Sequence, residues 1–546
     1  MRGWIQVLAA VLALVLAAPA SAQNAPIVQP PAGRLQGEAL DGVNVFRGVP
    51  YAQAPVGWRR WRAPEPMRAW RGVREARAFG AACYQPIARG ASIYAGETPT
   101  MSEDCLFLNI WAPANAQNAP VFFWIHGGSL TAGAGSEAMY DGARMAQQGV
   151  IVVTINYRLG ALGYLAHPEL SAESRQRVSG NYGLLDQIEA LRWVQRNIAA
   201  FGGDAGNVTI AGESAGALSV MYLMAAPDAR GLFHRAIAQS AYMVTAPPLR
   251  DNLYANFFPA EAIGVWAAGR LGAANLAALR GMSAEAITNG LAGSGYFPFP
   301  NIDGRVLPRQ LVDVFDRGEQ APVPILAGFN EGEIRSLRFL LPQPPADAGA
   351  YETEIRARYD DLADAFLARY PSGTIGESML AATRDAMYGW TAERLVRQQT
   401  RLGVSSFLYF FDHGYPATAA ADLHAFHAAE IPYVFGNLDK TPPRWPAIPD
   451  TAEEAALSDA MLGYWVSFAR DGAPSAAGAA QWRPYGAERA YMAFAGVAEA
   501  RSNLLAGTYE LHEAVVCRRR AQGGIAWNWN IGLAAPPLPA QSPRCP

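Results

Sequence analysis

Charge is scarce in this chain. Only 17% of its 546 residues are Asp, Glu, Lys or Arg, and the formal net charge is -3. Without a basic excess there is no electrostatic face for phosphate backbones or acidic lipid, which disfavours nucleic acid and polybasic membrane attachment. Internal repeats, blocks of like charge and long linkers are also missing. With 51% hydrophobic residues, a large packed core is expected rather than disorder. Beyond the amino terminus no apolar run reaches the roughly 20 residues that a membrane helix needs. The terminus itself reads differently. Arg2, the apolar stretch Val7 to Ala18 and Ala20-Ser21-Ala22 make the charged start, core and cleavage site of a signal segment over residues 1–22. The mature chain is expected to begin at Gln23, to be exported to the periplasm or beyond, and to keep no stable membrane anchor.

Cysteine is rare too. Four are present, an even number that suits an oxidising compartment. Four thiols allow three pairings. The shortest, Cys83 with Cys105, closes a loop worth roughly 3 kcal/mol in the chain-entropy model. Cys517 with Cys545 would then staple the proline-rich tail, residues 535–546, onto the body.

What is present is a regular succession of short apolar runs: Val121 to Ile125, Val150 to Tyr157, Val208 to Ala211, Val323 to Ala327 and Phe407 to Phe411. Near-continuous apolar character over so few residues predicts strands covered on both faces. Between the second and third, Leu184, Ile188, Leu191, Gln195 and Ile198 fall on one helical stripe, apolar at four of five positions. Alternating strands and helices predict an α/β fold with a mostly parallel sheet. The less regular stretch from Met243 to Ile302 reads as an inserted cap over the sheet's carboxyl edge, where ligands sit in such folds. A tail helix is expected over Ala456 to Ala469, and residues 23–546 are expected to form one domain.

The chemistry concentrates in Asn207-Val-Thr-Ile-Ala-Gly212-Glu213-Ser214-Ala215-Gly216. A Gly-x-Ser-x-Gly pattern between an apolar strand and an apolar helix is a nucleophile-elbow signature. The sharp turn lifts the Ser214 hydroxyl clear of the sheet, and the following helix aims N–H groups at the attack site. A serine still needs a base and a group to orient it. Seven histidines make the search short. His427, in Ala425-Phe-His427-Ala-Ala-Glu430, is the candidate base, with His424 one turn away as the competitor, while His413 directly follows the preceding strand. For the acid, Glu331 and Glu333 follow a strand, and Asp303 is a third possibility. Trp124-Ile-His126-Gly127-Gly128-Ser129-Leu130 follows another strand and matches a glycine-rich loop whose N–H groups stabilise an oxyanion. The N–H of Ala215 would be its partner.

Together these stretches resemble the type-B carboxylesterase and cholinesterase family of serine hydrolases. Glu103-Asp104-Cys105-Leu106-Phe107-Leu108-Asn109 looks like one family signature and the Phe201 to Gly216 segment like the active-site signature. Asn156-Tyr157-Arg158-Leu159-Gly160 and Glu430 to Gly436 add agreement. The resemblance implies an α/β-hydrolase fold and hydrolysis of small-molecule carboxylic esters through an acyl-enzyme on Ser214, with no metal or organic cofactor. It selects Glu333 over Glu331 as the acid, because the family's glutamate stands five residues after the glycine matched by Gly328. His427 is selected over His424 by the His-x-x-Glu stretch. It further implies oxyanion donors at Gly128, Ser129 and Ala215, places Glu213 and Ser240 beside the triad, and matches Cys83–Cys105 to the family's first disulfide loop. Three departures stand out. Ser129 replaces a usual glycine, Ile334 replaces the glycine after the acid, and the Cys83–Cys105 loop contains no tryptophan. Without that ring there is no face for a quaternary ammonium, so choline esters are disfavoured. Trp266, Tyr296, Phe297 and Phe299 either line a pocket for bulky esters or pack the cap.

Overall fold

The computed structural model describes residues 25–87, 92–97, 99–252, 258–523 and 532–545. The expected signal segment, residues 1–22, lies outside them. Eleven strands form the main sheet: β1 (Glu38–Leu40), β2 (Val43–Pro50), β3 (Phe107–Pro113), β4 (Ala119–Ile125), β5 (Ile151–Ile155), β6 (Gly203–Glu213), β7 (Arg235–Gln239), β8 (Ile325–Asn330), β9 (Ser406–Phe411), β10 (Ala490–Phe494) and β11 (Ala498–Ser502). Their order is β11-β10-β9-β8-β7-β6-β4-β5-β3-β2-β1. From β10 through β5 every neighbouring pair is parallel, and antiparallel strands close both edges. The five expected strands are all present with shifted ends. The one at Val208 to Ala211 lengthens most, to Gly203–Glu213, and the one at Val323 to Ala327 starts only after Pro324, which cannot donate to a ladder.

Alternation along β4 shows how the sheet is buried. Val121, Phe123 and Ile125 pack into one apolar layer with the helices Tyr182–Asn197 and Ala215–Ala225. Phe122 and Trp124 pack into the opposite layer with the helix Ala452–Asp471. Successive side chains on a strand point to opposite faces, so a strand covered on both must be apolar throughout. On the expected helical stripe, Leu184, Ile188, Leu191 and Ile198 are buried. Gln195 stays half-buried by donating to the carbonyls of Ala205 and Leu232.

Among the described residues, the stretch expected as a cap contains three helices, Ala260–Arg270, Leu276–Gly281 and Ala284–Leu291. They pack against Trp61, Leu162 and Tyr182, and Arg60 donates to the carbonyls of Arg280 and Met282 while pairing with Glu103. A second helical region, Ala348 to Arg401, was not legible in the sequence and includes a π-helical turn at Asp385–Gly389. Both disulfides are formed, Cys83–Cys105 and Cys517–Cys545. No helix among the described residues is long and apolar enough to cross a membrane.

Candidate active site

Parallel register brings five strand ends to one edge. Ile125 lies opposite Gly212, Glu213 opposite Gln239, Gln239 opposite Gly328, and Asn330 opposite Phe411. The residues that follow these ends therefore converge at the carboxyl edge of the sheet, where open α/β sheets place their ligands.

Ser214 leaves β6 with φ 55° and ψ -120°, a strained conformation for a residue with a side chain. Two contacts hold it there: its N–H donates to the Gln239 carbonyl at 3.0 Å, and its own carbonyl accepts from Leu218 at 2.9 Å. Gly216 is required by crowding. A Cβ at that position would lie 2.0 Å from the Ile125 carbonyl oxygen. Ser214 is 8% exposed, and its hydroxyl has no hydrogen-bond partner among the described residues.

The glycine-rich loop packs directly on this turn, since a Cβ on Gly127 would sit 3.2 Å from that of Ser214. Gly128 and Ser129 have φ of 94° and 56°. Ser129 thus adopts the left-handed backbone expected of the glycine it replaces, at a cost of order 1 kcal/mol. Both residues are exposed, and neither N–H donates to a protein acceptor among the described residues. Ala215 opens its helix, where the first N–H lacks an intrahelical acceptor.

Across the edge, His427 Nδ1–H donates to Glu333 Oε2 at 2.5 Å, while the other Glu333 oxygen accepts from the Asn330 N–H at 2.9 Å. Glu333 is fully buried and His427 6% exposed. The free side of the imidazole, Nε2, lies 3.1 Å from Glu213 Oε1, an approach too poorly aligned to satisfy that oxygen. Burial alone would lower the His427 pKa, but the carboxylates of Glu213 and Glu333 outweigh it and push the imidazole up to about 9. Glu213 is itself raised to about 8 by burial, partly offset by His427.

Behind this pair runs a buried chain of polar groups. Trp465 Nε1–H donates to Gln239, Gln239 to Glu430 Oε1, and Asn330 to Glu430 Oε2 at 2.6 Å and to the Phe426 carbonyl. It ties the strands β7 and β8, the loop carrying His427 and the helix Ala452–Asp471 together. Gln239, Asn330 and Trp465 were not singled out from sequence; a polar residue ending an apolar strand run is the signal that would have found the first two. Ser240, fully buried with φ 49°, donates its N–H to Gly328, and its hydroxyl has no partner among the described residues.

The rival candidates have other employment. Asp303 caps its loop by accepting from the N–H groups of Arg305, Val306 and Leu307. Glu331 pairs with Arg384 at 3.5 Å. His413 donates to Glu454, and His424 is half exposed near Asp422 and Glu331. His126 stacks on Tyr157 with centroids 4.5 Å apart. Its Nδ1–H donates to the Gly127 carbonyl. Among the aromatic cap candidates, Trp266 and Phe297 are exposed. Tyr296 packs against the cap cluster, and Phe299 packs against the main core. Among the described residues no group of three or more His, Cys, Asp or Glu could hold a metal ion.

Known proteins resemble this chain over most of its length. A family model described as "Carboxylesterase family" matches residues 24–510. Fumonisin B1 esterase of Sphingopyxis macrogoltabida is 38% identical over 465 residues, covering 82% of each chain. Para-nitrobenzyl esterase of Bacillus subtilis (strain 168) is 36% identical, covering 83% of this chain and 91% of its own. A solved PNB esterase superposes with a TM-score of 0.77 at 32% identity, covering 89% of this chain and 99% of that one. A Geobacillus stearothermophilus carboxylesterase gives 0.73 at 34%, with the same coverage. Strand order, elbow and extended sequence identity converge on one conclusion: this chain belongs to the carboxylesterase family and is a serine hydrolase of carboxylic esters with an α/β-hydrolase fold.

Proposed function

We propose that Ser214 is the nucleophile, His427 its general base and Glu333 the group that orients the imidazole. Ser214 Oγ attacks the ester carbonyl as its proton passes to His427 Nε2. The N–H groups of Gly128, Ser129 and Ala215 hold the resulting oxyanion. The alkoxide leaves with the proton from His427, and water, activated by the same base, then releases the acid. Glu213 and Ser240 stand beside the triad without taking part in bond making. The chemistry calls for neither metal nor organic cofactor. The observation that carries this reading is the fully buried Glu333 bonded to His427, across from an elbow whose hydroxyl and neighbouring N–H groups have no protein partner among the described residues. We also propose that residues 1–22 are a signal segment and that the mature single domain acts outside the cytoplasm, a reading supported by two disulfides.

The test is hydrolysis of p-nitrophenyl esters from acetate to palmitate by wild type and Ser214→Ala. Wild type should turn over short chains, and the variant should lose about 10⁴-fold or more in kcat. Equal rates in the two proteins would remove Ser214 from the mechanism.

A further inference from the structure

The Cys83–Cys105 loop reaches both halves of the site. Near its start, Gln85 grips the glycine-rich loop by a reciprocal pair: its Nε2–H donates to the Gly133 carbonyl at 3.0 Å, and its Oε1 accepts from the Gly133 N–H at 2.9 Å. Gly133 is pressed against the ring of His126. Further along, the Tyr94 hydroxyl lies 2.9 Å from the backbone carbonyl oxygen of His427 itself and 2.7 Å from Ser336 Oγ, three residues past Glu333. One phenol proton serves one acceptor, so Tyr94 donates to His427 and accepts from the Ser336 hydroxyl. Its ring packs on Phe426 and Trp445, with centroids 6.4 and 5.9 Å away. No other side chain among the described residues bridges the segment carrying Glu333 to that carrying His427 from the side of the disulfide loop.

We propose that Tyr94 is a positioning residue: through its hydroxyl the disulfide loop fixes the His427 backbone relative to Glu333, so that the imidazole is held at the angle that proton transfer requires. The proposal rests on His427 being the base. A carbonyl anchored at the residue itself restrains the ring more directly than packing alone, and small misplacements of a catalytic group are expensive in rate.

Tyr94→Phe keeps the ring contacts and removes only the bridge. Its kcat for p-nitrophenyl acetate should fall about tenfold with KM within about twofold of wild type, because the loss is felt in the transition state and not in substrate binding. The acid limb of kcat/KM against pH should move, since loosening His427 from Glu333 changes what holds its proton. Unchanged kcat and pH profile, or a change confined to KM, would overturn the proposal. If Tyr94→Phe melts too early to assay, Ser336→Ala removes the other end of the bridge and should show the same pH signature more weakly; an unmoved profile there overturns it equally. His427→Gln is measured in parallel. Retained activity in that variant refutes the base assignment, whereas its loss alongside a wild-type Tyr94→Phe refutes only the brace.

Discussion

Two histidines sit buried at the carboxyl edge of the same sheet, one on each side of the elbow, and their environments push them in opposite directions. His126, in the glycine-rich loop, has burial as its main influence, its ring makes one hydrogen bond among the described residues, to the Gly127 carbonyl, and its pKa falls to about 4. His427 is as deeply buried, yet Glu213 and Glu333 face its two nitrogens and its pKa rises to about 9. Burial disfavours a charged imidazole in both regions; what differs is whether a carboxylate is within reach to offset it. The first histidine is a neutral packing element that shapes the loop under Gly133. In the proposed mechanism the second holds a proton between the two halves of an acyl transfer.

The comparison can be broken most severely at Glu333. Glu333→Gln keeps shape and burial but removes the carboxylate that orients Nδ1, leaving the His427 region more like that of His126. Loss of the orienting acid in a triad costs roughly 10⁴-fold in kcat, and that is the expected drop in ester hydrolysis. A variant within tenfold of wild type would show that Glu333 is a structural acid and that orientation comes from elsewhere.

A smaller effect should appear in stability on the His126 side. Its folded pKa, and that of the buried His512, lie near 4 against an ordinary 6.5, so the unfolded chain binds protons that the folded one refuses. Stability from these groups is present above pH 6.5 and is lost as pH falls from 6.5 towards 4. With Tm followed by calorimetry from pH 8 to 4, wild type should lose more stability across that window than His126→Gln does. An identical slope in the variant would mean that other groups govern acid unfolding.

How much of this was legible in the sequence depended on distance along the chain. The elbow could be read because strand, serine, flanking glycines and helix are contiguous from Val208 to Ala225, and the rule of two-faced burial predicted the parallel strands from apolar runs. The candidate acid and base could not be chosen from their own surroundings. Glu331 and Glu333 are two residues apart on the same turn, and only the family resemblance separated them; in the fold, Glu331 turns to Arg384 while Glu333 points inward. Nothing local could reveal the Tyr94 bridge, because its two ends are 333 residues apart. The helices between Ala348 and Arg401 escaped for another reason. Helix Ala348–Tyr359 buries only Tyr351, Ile355 and Tyr359, at four-residue spacing within a polar sequence, too thin a stripe to stand out.

The difference between the two histidines is tested most directly by the pH dependence of kcat/KM for a short-chain p-nitrophenyl ester, in wild type and Glu213→Gln. The base must be neutral to accept the serine proton, so activity should rise with pH as His427 deprotonates. With its pKa pushed up to about 9, the midpoint of that rise should lie clearly above the ordinary 6.5 of an imidazole. Removing the Glu213 carboxylate beside Nε2 should move the midpoint down and leave the variant the faster of the two relative to its own plateau near neutrality. A wild-type midpoint at or below 6.5, or one that Glu213→Gln leaves in place, would contradict the claim that these carboxylates decide the state of His427.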